Sequence, residues 1–457
     1  MNRRTFLKSV GLAALSGPLI RIGHMNNAQG SASSTKRMPN FVIIFIDDMG
    51  YGDIEPFGST VNSTPHLNCM AKEGMKLTSF YIGWAACTPS RASLMTGCYA
   101  RRVGMDGRVC FPGEARGLNP DEITIADMLK TRGYATGCFG KWHLGDQPEF
   151  MPARHGFDYY YGIPYSNDMW RFHKLNEKYN FPPLPLLRND DVIGVVEDGD
   201  DQAMLCKQFT DEAVSFIRKN KDRPFFVYLP HAFIHHPRFA RPEFMEKAEN
   251  ETEAQIEETD WSTGQILNTL RELNLEDNTL VLFTSDNGGS SGTSMGPLRG
   301  GKGGPVYEGH MREPTIAWWP GRIPAGSVCD EITSTIDLLP TVAKLAGARM
   351  PTDRAIDGKD ISALLFAEPG AKSPHDAFFY KAMGVRSGKW KFLTKGKGEL
   401  YNLEEDIGEN NNIASRHPNT VKRLRNLLQR HIEDLEKNSR PATFVANPKP
   451  ILPHSEK

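Results

Sequence analysis

The residues of this chain with chemistry to offer gather at a few points. Cys87 opens the run Cys87-Thr88-Pro89-Ser90-Arg91, which continues through Leu94-Met95-Thr96-Gly97. Asp47-Asp48, Lys141 with His143, His231 with His235-His236, and Asp286-Asn287 each follow an apolar stretch, while Arg299 and Lys302 stand in a Gly/Ser-rich loop over residues 290–304. Asp47, Asp48, Asp286 and Asn287 offer only oxygen, the preference of a hard cation such as Ca2+ or Mg2+ rather than zinc. The histidines do not make the helical H-E-x-x-H form of a zinc site, since His231 and His235 are four apart but Ala232 stands where that form has Glu. Arg91, Lys141, His143, His235 and Lys302 add positive charge and hydrogen-bond donors. A cation beside such groups at a helix start describes a pocket for a small multivalent oxyanion ester, a phosphate or a sulfate.

The elements that must position these groups are legible in turn. Pro89 pre-sets helical φ and Gly97 is placed to end the helix, so Cys87 is expected at a helix N-terminus, where free N–H groups favour a thiolate, an alkoxide or a bound oxyanion. A cysteine phosphatase loses weight on spacing: its cradle needs Arg six residues after the nucleophile, whereas Arg91 stands four after Cys87 and Ser93 holds the sixth place. Residues 41–46, 134–139, 225–229 and 279–284 are apolar runs that read as strands buried on both faces, each ending in one of the polar groups above. That is where an open α/β sheet places its ligands. Adjacent Asp47 and Asp48 reach one site only if the strand breaks there, and Gly50 and Gly52 are expected to supply the break. In extended backbone Lys141 and His143 would share a face.

Helices are expected over residues 64–74, 125–129, 202–220 and 337–345, with one long helix or a pair over 244–273. A further strand is expected near 315–319. Residues 148–201, irregular and rich in Pro, Tyr and Trp, read as loops over the sheet rim, where substrate selection would lie. Beyond about residue 371 the texture changes to short alternating strands at 377–380, 384–386 and 390–394, followed by an amphipathic helix at 420–435. The reading is an α/β chain: a large domain over 38–370 with a mostly parallel mixed sheet between helices, and a smaller C-terminal α+β domain over 371–457 with an antiparallel sheet. Residues 1–37 read as signal peptide and linker, with Arg3-Arg4 before a modest apolar run, the pattern of twin-arginine export to a bacterial periplasm. That run is too short and too broken by Gly and Pro for a stable membrane span. Charged residues are 24% of the chain and leave a net charge of -1, so no global basic surface points to nucleic acid. The seven cysteines show no C-x-x-C spacing, which argues against a zinc ribbon or a thioredoxin-like motif.

Taken together, Cys87-Thr88-Pro89-Ser90-Arg91 with Leu94-Met95-Thr96-Gly97, the run Gly140-Lys141-Trp142-His143-Leu144-Gly145, Gly162-Ile163-Pro164-Tyr165-Ser166, Asp286-Asn287-Gly288 and Gly301-Lys302-Gly303 resemble the type I sulfatases. The resemblance is greatest to the arylsulfatase A and N-acetylgalactosamine-6-sulfatase branch of the alkaline phosphatase superfamily. It implies that Cys87 is converted to formylglycine by a maturation enzyme, and that Asp47, Asp48, Asp286, Asn287 and residue 87 hold Ca2+. Arg91 would orient the formylglycine hydrate and His143 would contact one of its hydroxyls. Lys141, Lys302 and His235 would hold sulfate and the bridging oxygen, and Ser166 would line the sulfate pocket. His235 is preferred to His236 because it precedes the residue-Pro pair. One hydroxyl of the gem-diol would attack sulfur; loss of the second hydroxyl's proton, with His143 as base, would then expel sulfate, and His235 or Lys302 would protonate the alcohol. The substrate implied is a sulfated saccharide, with an aryl sulfate as alternative. Two departures, Asn167 for a common His and His310 for a common Gly, are expected near the rim. Competing readings are a phosphatase or phosphodiesterase of the same superfamily and a silent binder of sulfated glycans.

Overall fold

In the computed structural model, residues 37–304 and 306–454 are described. Most of the expected signal and linker, residues 1–36, lies outside the described residues. Met38–Lys457 forms one compact unit. Its centre is a ten-stranded sheet built from β1 (Asn40–Ile46), β2 (Met75–Leu77), β3 (Ala135–Lys141), β4 (Tyr159–Ile163), β5 (Leu184–Arg188), β6 (Asp191–Val196), β7 (Phe225–Pro230), β8 (Thr279–Ser285), β9 (Thr315–Trp318) and β10 (Ser327–Cys329). The order across the sheet is β10-β2-β9-β8-β1-β7-β3-β4-β5-β6. The five central strands β8, β1, β7, β3 and β4 run parallel, so their C-terminal ends open on one edge.

The apolar run of β1 shows why these strands need no polar alternation. Phe41, Ile43 and Phe45 pack with α2 (Cys87–Thr96), α3 (Ile125–Lys130) and α6 (Leu338–Ala346), while Val42, Ile44 and Ile46 pack with α1 (Pro65–Glu73), α4 (Gly199–Lys219) and α5 (Glu251–Glu272). Helices cover both faces, and each such buried side chain contributes about 1.5–3 kcal/mol. The region expected as one long helix or a pair is a pair, Pro242–Met245 and α5.

The reading of residues 148–201 as loops is corrected. They contain β4 and the β5–β6 hairpin, which extend the sheet to its edge. The turn signal was present: Asn189, with φ 55, lies between two apolar runs. Pro182, Pro183 and Pro185 masked it; Pro185 is tolerated because β5 pairs with β4 only at Leu187 and Arg188, which leaves one side of the strand unpaired at the proline.

The antiparallel C-terminal sheet comprises β11 (Phe378–Tyr380), β12 (Gly384–Ser387), β13 (Trp390–Leu393) and β14 (Glu399–Asn402). One face packs on α7 (Pro418–Asn438) through Leu424 and Leu428, and the other packs on Tyr81, Ile82 and Met311 through Phe378, Tyr380 and Leu393. No helix among the described residues is long and apolar enough to cross a membrane.

Candidate functional site

The site forms where β1, β3, β7 and β8 end. After β1 the chain breaks at Asp48 itself, which takes the left-handed φ of 66, and this turn lets Asp47 and Asp48 serve one site. The glycines expected to make the break serve close approach instead, since a Cβ on Gly50 would meet the Ser294 carbonyl oxygen at 2.3 Å. Asp286, just past β8, is tied to β1 by its N–H bond to the Ile46 carbonyl at 2.8 Å. Helix α2 starts at Cys87 as expected, and left-handed Gly97 ends it with an N–H bond to the Ser93 carbonyl. Lys141 is the last residue of β3. His143 lies beyond the strand with φ 60, so the shared-face argument from extended backbone does not apply, although both side chains are buried.

Cys87 Sγ lies 3.4 Å from Asp47 Oδ1, 3.6 Å from Asn287 Oδ1 and 3.8 Å from Lys302 Nζ. Asn287 Nδ2 donates to Asp48 Oδ1 at 2.7 Å, which leaves the amide oxygen facing Cys87. Lys302 Nζ pairs with Asp48 Oδ1 at 2.7 Å, and His235 Nε2 stands 3.9 Å from Asp48 Oδ2. Lys141 Nζ pairs with Asp47 and donates to Ser166 Oγ at 2.9 Å. Arg91 is wholly buried: Nη2 reaches Asp286 at 2.8 Å and Asp47 at 3.2 Å, and Nη1 donates to the Lys141 carbonyl at 2.7 Å. It clamps three strand ends together. Asp286 therefore turns Oδ2 to Arg91, and its Oδ1 accepts the Asp48 N–H at 3.3 Å.

Of the three histidines after β7, only one enters the cluster. His231 is buried against Ser262 Oγ at 2.9 Å, whereas His236 is exposed and donates nothing to it. The two departures expected at the rim are both buried, which corrects that placement. Asn167 donates to Gln202 Oε1 at 3.3 Å and to the Pro237 carbonyl at 3.4 Å, tying the Ser166 loop to the His235 loop. His310 accepts the Tyr307 N–H at 2.9 Å and fills the space that Gly300 and Gly304 leave beneath Lys302. Sequence reasoning missed Thr88, whose hydroxyl donates to the His143 carbonyl at 2.8 Å and accepts the Cys110 N–H at 3.0 Å. It also missed Asp168, whose side chain is 24% exposed beside this cluster. Thr88 stood inside the Cys87 run, where every residue merited a role; Asp168 carried no comparable signal.

The electrostatics follow from burial against opposed charge. Burial opposes ionisation of Asp47, yet Lys141, then His235, Arg91 and Lys302, hold it well below the usual carboxylate range. Burial and Asp47 push Asp286 up to about 7 in spite of Arg91. Lys141 and Lys302 are desolvated but raised by Asp47 and Asp48 respectively, so both stay charged. Burial, Lys141 and Arg91 hold His143 well below its ordinary value and hence neutral. Its Nε2 faces the Cys110 carbonyl at 3.0 Å, which puts the proton on Nε2 and leaves a bare lone pair on Nδ1; that atom has no hydrogen-bond partner among the described residues. Burial and Asp47 push the Cys87 thiol up, against the acidification expected from its helix start.

The donor set suits a divalent cation. Asp47, Asp48, Cys87 and His235 bring ligand atoms within 4.8 Å of one another, and the Asn287 oxygen faces the same point. With Arg91, Lys141 and Lys302 packed against the same carboxylates, the arrangement can hold a cation and an oxyanion together.

The sulfatase family profile matches residues 39–348, and that of the N-sulphoglucosamine sulphohydrolase C-terminal region matches 305–438. Arylsulfatase A of Homo sapiens is 36% identical, covering 88% of this chain and 89% of its own. N-acetylgalactosamine-6-sulfatase of Canis lupus familiaris is 36% identical over 79% of this chain and 72% of its own. Among solved structures, the PsFucS1 sulfatase from Pseudoalteromonas sp. superposes with a TM-score of 0.81 at 27% identity, covering 89% of this chain and 92% of its own. Ps i-CgsB, crystallised with k-i-k-neocarrahexaose, superposes with a TM-score of 0.77 at 29% identity, covering 89% and 95%.

Proposed function

The chain belongs to the sulfatase family and is a sulfuric ester hydrolase of the arylsulfatase type, and from that premise we propose that it cleaves the sulfate monoester of a carbohydrate, using formylglycine made from Cys87 and a bound Ca2+. The observation that carries this reading is the meeting of Cys87 Sγ with Asp47 Oδ1, Asn287 Oδ1 and Lys302 Nζ at the first turn of a buried helix. Maturation is a two-electron oxidation: the side chain takes oxygen from water, sulfur leaves as hydrogen sulfide, and the electrons pass to an oxidant of the maturation enzyme. Asp47, Asp48, Asp286, Asn287 and residue 87 would hold the Ca2+, which would supply Lewis-acid charge stabilisation. Formylglycine at residue 87 would supply a hydrated aldehyde as the nucleophile for sulfate transfer.

The chain's own residues do the rest. Lys141, fixed by Asp47 and Ser166, and Lys302 at the solvent side hold sulfate oxygens and stabilise charge that develops on them. Arg91 keeps Asp47, Asp286 and β3 in register and so orients residue 87. His143 takes a proton on the bare Nδ1. His235 donates its Nδ1 proton to the His236 carbonyl at 2.6 Å, which aims Nε2 at the cluster, where the imidazolium, protonated on both nitrogens, gives its Nε2 proton to the departing alcohol. The carbohydrate class is supported by the sugar-named relatives and by the oligosaccharide in the Ps i-CgsB crystal. Export to a periplasm is supported by Arg3-Arg4 and the apolar run behind it.

Peptide mass spectrometry of protein produced with its maturation system is expected to find an aldehyde in place of the Cys87 thiol. Chelation is expected to abolish turnover of sulfate monoesters, Ca2+ to restore it, and matched phosphate monoesters to turn over more slowly. Fully active protein that retains the thiol would refute the mechanism.

A further inference from the structure

Beside the sulfate-binding groups stands a carboxylate that the chemistry above does not use. Asp168 follows Ser166 and Asn167 in the loop after β4, and the Met169 N–H bond to the Ser166 carbonyl at 3.0 Å closes that loop into a turn. Asn167 pins it to α4 and to the His235 loop. Asp168 Oδ1 is buried with no hydrogen-bond partner among the described residues, and Oδ2 lies 3.6 Å from His173 Nε2. The charges of His235, Lys141 and Lys302, with the Ser166 hydroxyl, act on it and outweigh its desolvation. It is thus an ionised acceptor at the edge of an anion pocket. Aromatic rings continue from it: His173 meets Phe181 edge-on at 5.2 Å, and Phe181 and Tyr179 stack on Phe111 at 6.2 and 5.6 Å. Phe111 adjoins Cys110, whose carbonyl faces His143. Tyr179 is 41% exposed, with Lys178 Nζ 5.2 Å from its ring centroid.

We propose that Asp168 is a specificity-determining residue that accepts hydrogen bonds from hydroxyls of a neutral sugar ring next to the sulfate ester, and that it disfavours substrates bearing a second anion there. This rests on the carbohydrate sulfatase reading. A carboxylate is an acceptor only and takes hydroxyl donors, two at once when they are neighbours. The same charge repels a uronate or a second sulfate at short range, and the repulsion is strong in a half-buried site. A simple aryl sulfate has no hydroxyl to offer it.

The test compares wild type, Asp168→Ala and Asp168→Asn on 4-nitrophenyl sulfate, on monosulfated neutral monosaccharides, on deoxy analogues lacking the hydroxyl beside the ester, and on a disulfated monosaccharide. The ratio of kcat/KM for the best sugar monosulfate to that for the aryl sulfate is expected to fall about 10–100-fold in Asp168→Ala, chiefly through KM. Asp168→Asn, close in shape and retaining one acceptor oxygen, should recover part of the loss. The deoxy analogue should show no such fall, and the disulfated sugar should gain relative to the monosulfate. Equal losses on sugar and aryl sulfates would overturn the proposal alone, as would a sugar preference that Asp168→Ala leaves intact. A wild-type enzyme that turns over aryl sulfates and no sugar sulfate would overturn the carbohydrate reading and this proposal with it.

Discussion

Two clusters of buried charge, joined by the short segment from Lys302 to Glu308, are built to opposite ends. At the strand ends, charges converge from β1, β3, β7, β8, α2 and the Lys302 loop, and His143 Nδ1 and Asp168 Oδ1 keep unused capacity. Under the C-terminal sheet, Glu308 is saturated. Its Oε1 takes Tyr380 at 2.6 Å and Lys391 at 2.9 Å, and its Oε2 takes Tyr81 at 2.6 Å and Arg312 at 3.2 Å. Lys391, wholly buried, spans to Glu409 at 2.8 Å, and Glu409 Oε2 accepts the Glu308 N–H at 2.6 Å. Glu409 Oε1 faces Lys391 as an ion pair without a hydrogen bond, but it is sealed from solvent with a saturated Glu308, so this cluster's interactions express themselves in folding. An unsaturated cluster open at one side expresses its interactions in binding and turnover. Removing one group from each should therefore move different observables.

The sharpest separation comes from residue 87. On the proposed mechanism Cys87→Ala removes the precursor of the nucleophile, and kcat on any sulfate ester is expected to fall about 10^4-fold or more. The urea midpoint should move little, because only a small buried thiol is lost. A Cys87→Ala enzyme within tenfold of wild type would dissolve the distinction between the clusters at its catalytic end.

Lys391→Met makes the opposite cut. It leaves Glu308 and Glu409 facing each other without the shared cation, and a buried pair broken in this way costs about 3–5 kcal/mol of stability. Equilibrium unfolding should show that loss, while kcat per folded molecule stays within tenfold of wild type. A large fall in turnover with an unchanged midpoint would mean that the C-terminal sheet serves chemistry, through the Lys302 loop, rather than folding.

The open cluster was far more legible in the sequence than the sealed one, for a physical reason. Its residues sit at the ends of Val-, Ile- and Phe-rich runs, and a run buried on both faces advertises its own boundary, as at Ile46 and Ser285. Pro89 and Gly97 likewise marked both ends of α2. Glu308, Lys391 and Glu409 sit in no pattern, since a buried ion pair is set by which segments meet, and those segments are far apart along the chain. The same limit explains other misses. Asp48 takes left-handed backbone because closure with Asp286 and Asn287 requires it, which no local propensity reports. His310 and Asn167 stood out by type, but their burial depends on Gly300, Gly304 and Gln202, contacts that only the folded chain supplies.

The smallest expected effect, and the finest discrimination, lies in pH. Glu308 is desolvated, but Lys391, then Arg312 and Arg386, hold its carboxyl well below its ordinary value of 4.5. The unfolded chain therefore takes up a proton first as pH falls below 4.5, and the stability that ionised Glu308 contributes, full above that value, is lost as pH drops toward its folded value. Glu409 works in another window and with the other sign. Burial pushes it up to about 7 in spite of Lys391, so the folded state holds the extra proton and stability falls as pH rises from 4.5 toward 7. Glu308→Gln should thus flatten the stability profile below pH 4.5 by up to one proton, about 1.4 kcal/mol per pH unit, whatever it does to the overall stability. Urea unfolding of both proteins at a series of pH values reads the slopes directly. Parallel slopes below 4.5 would show that Glu308 does not carry the acid sensitivity of the sealed cluster.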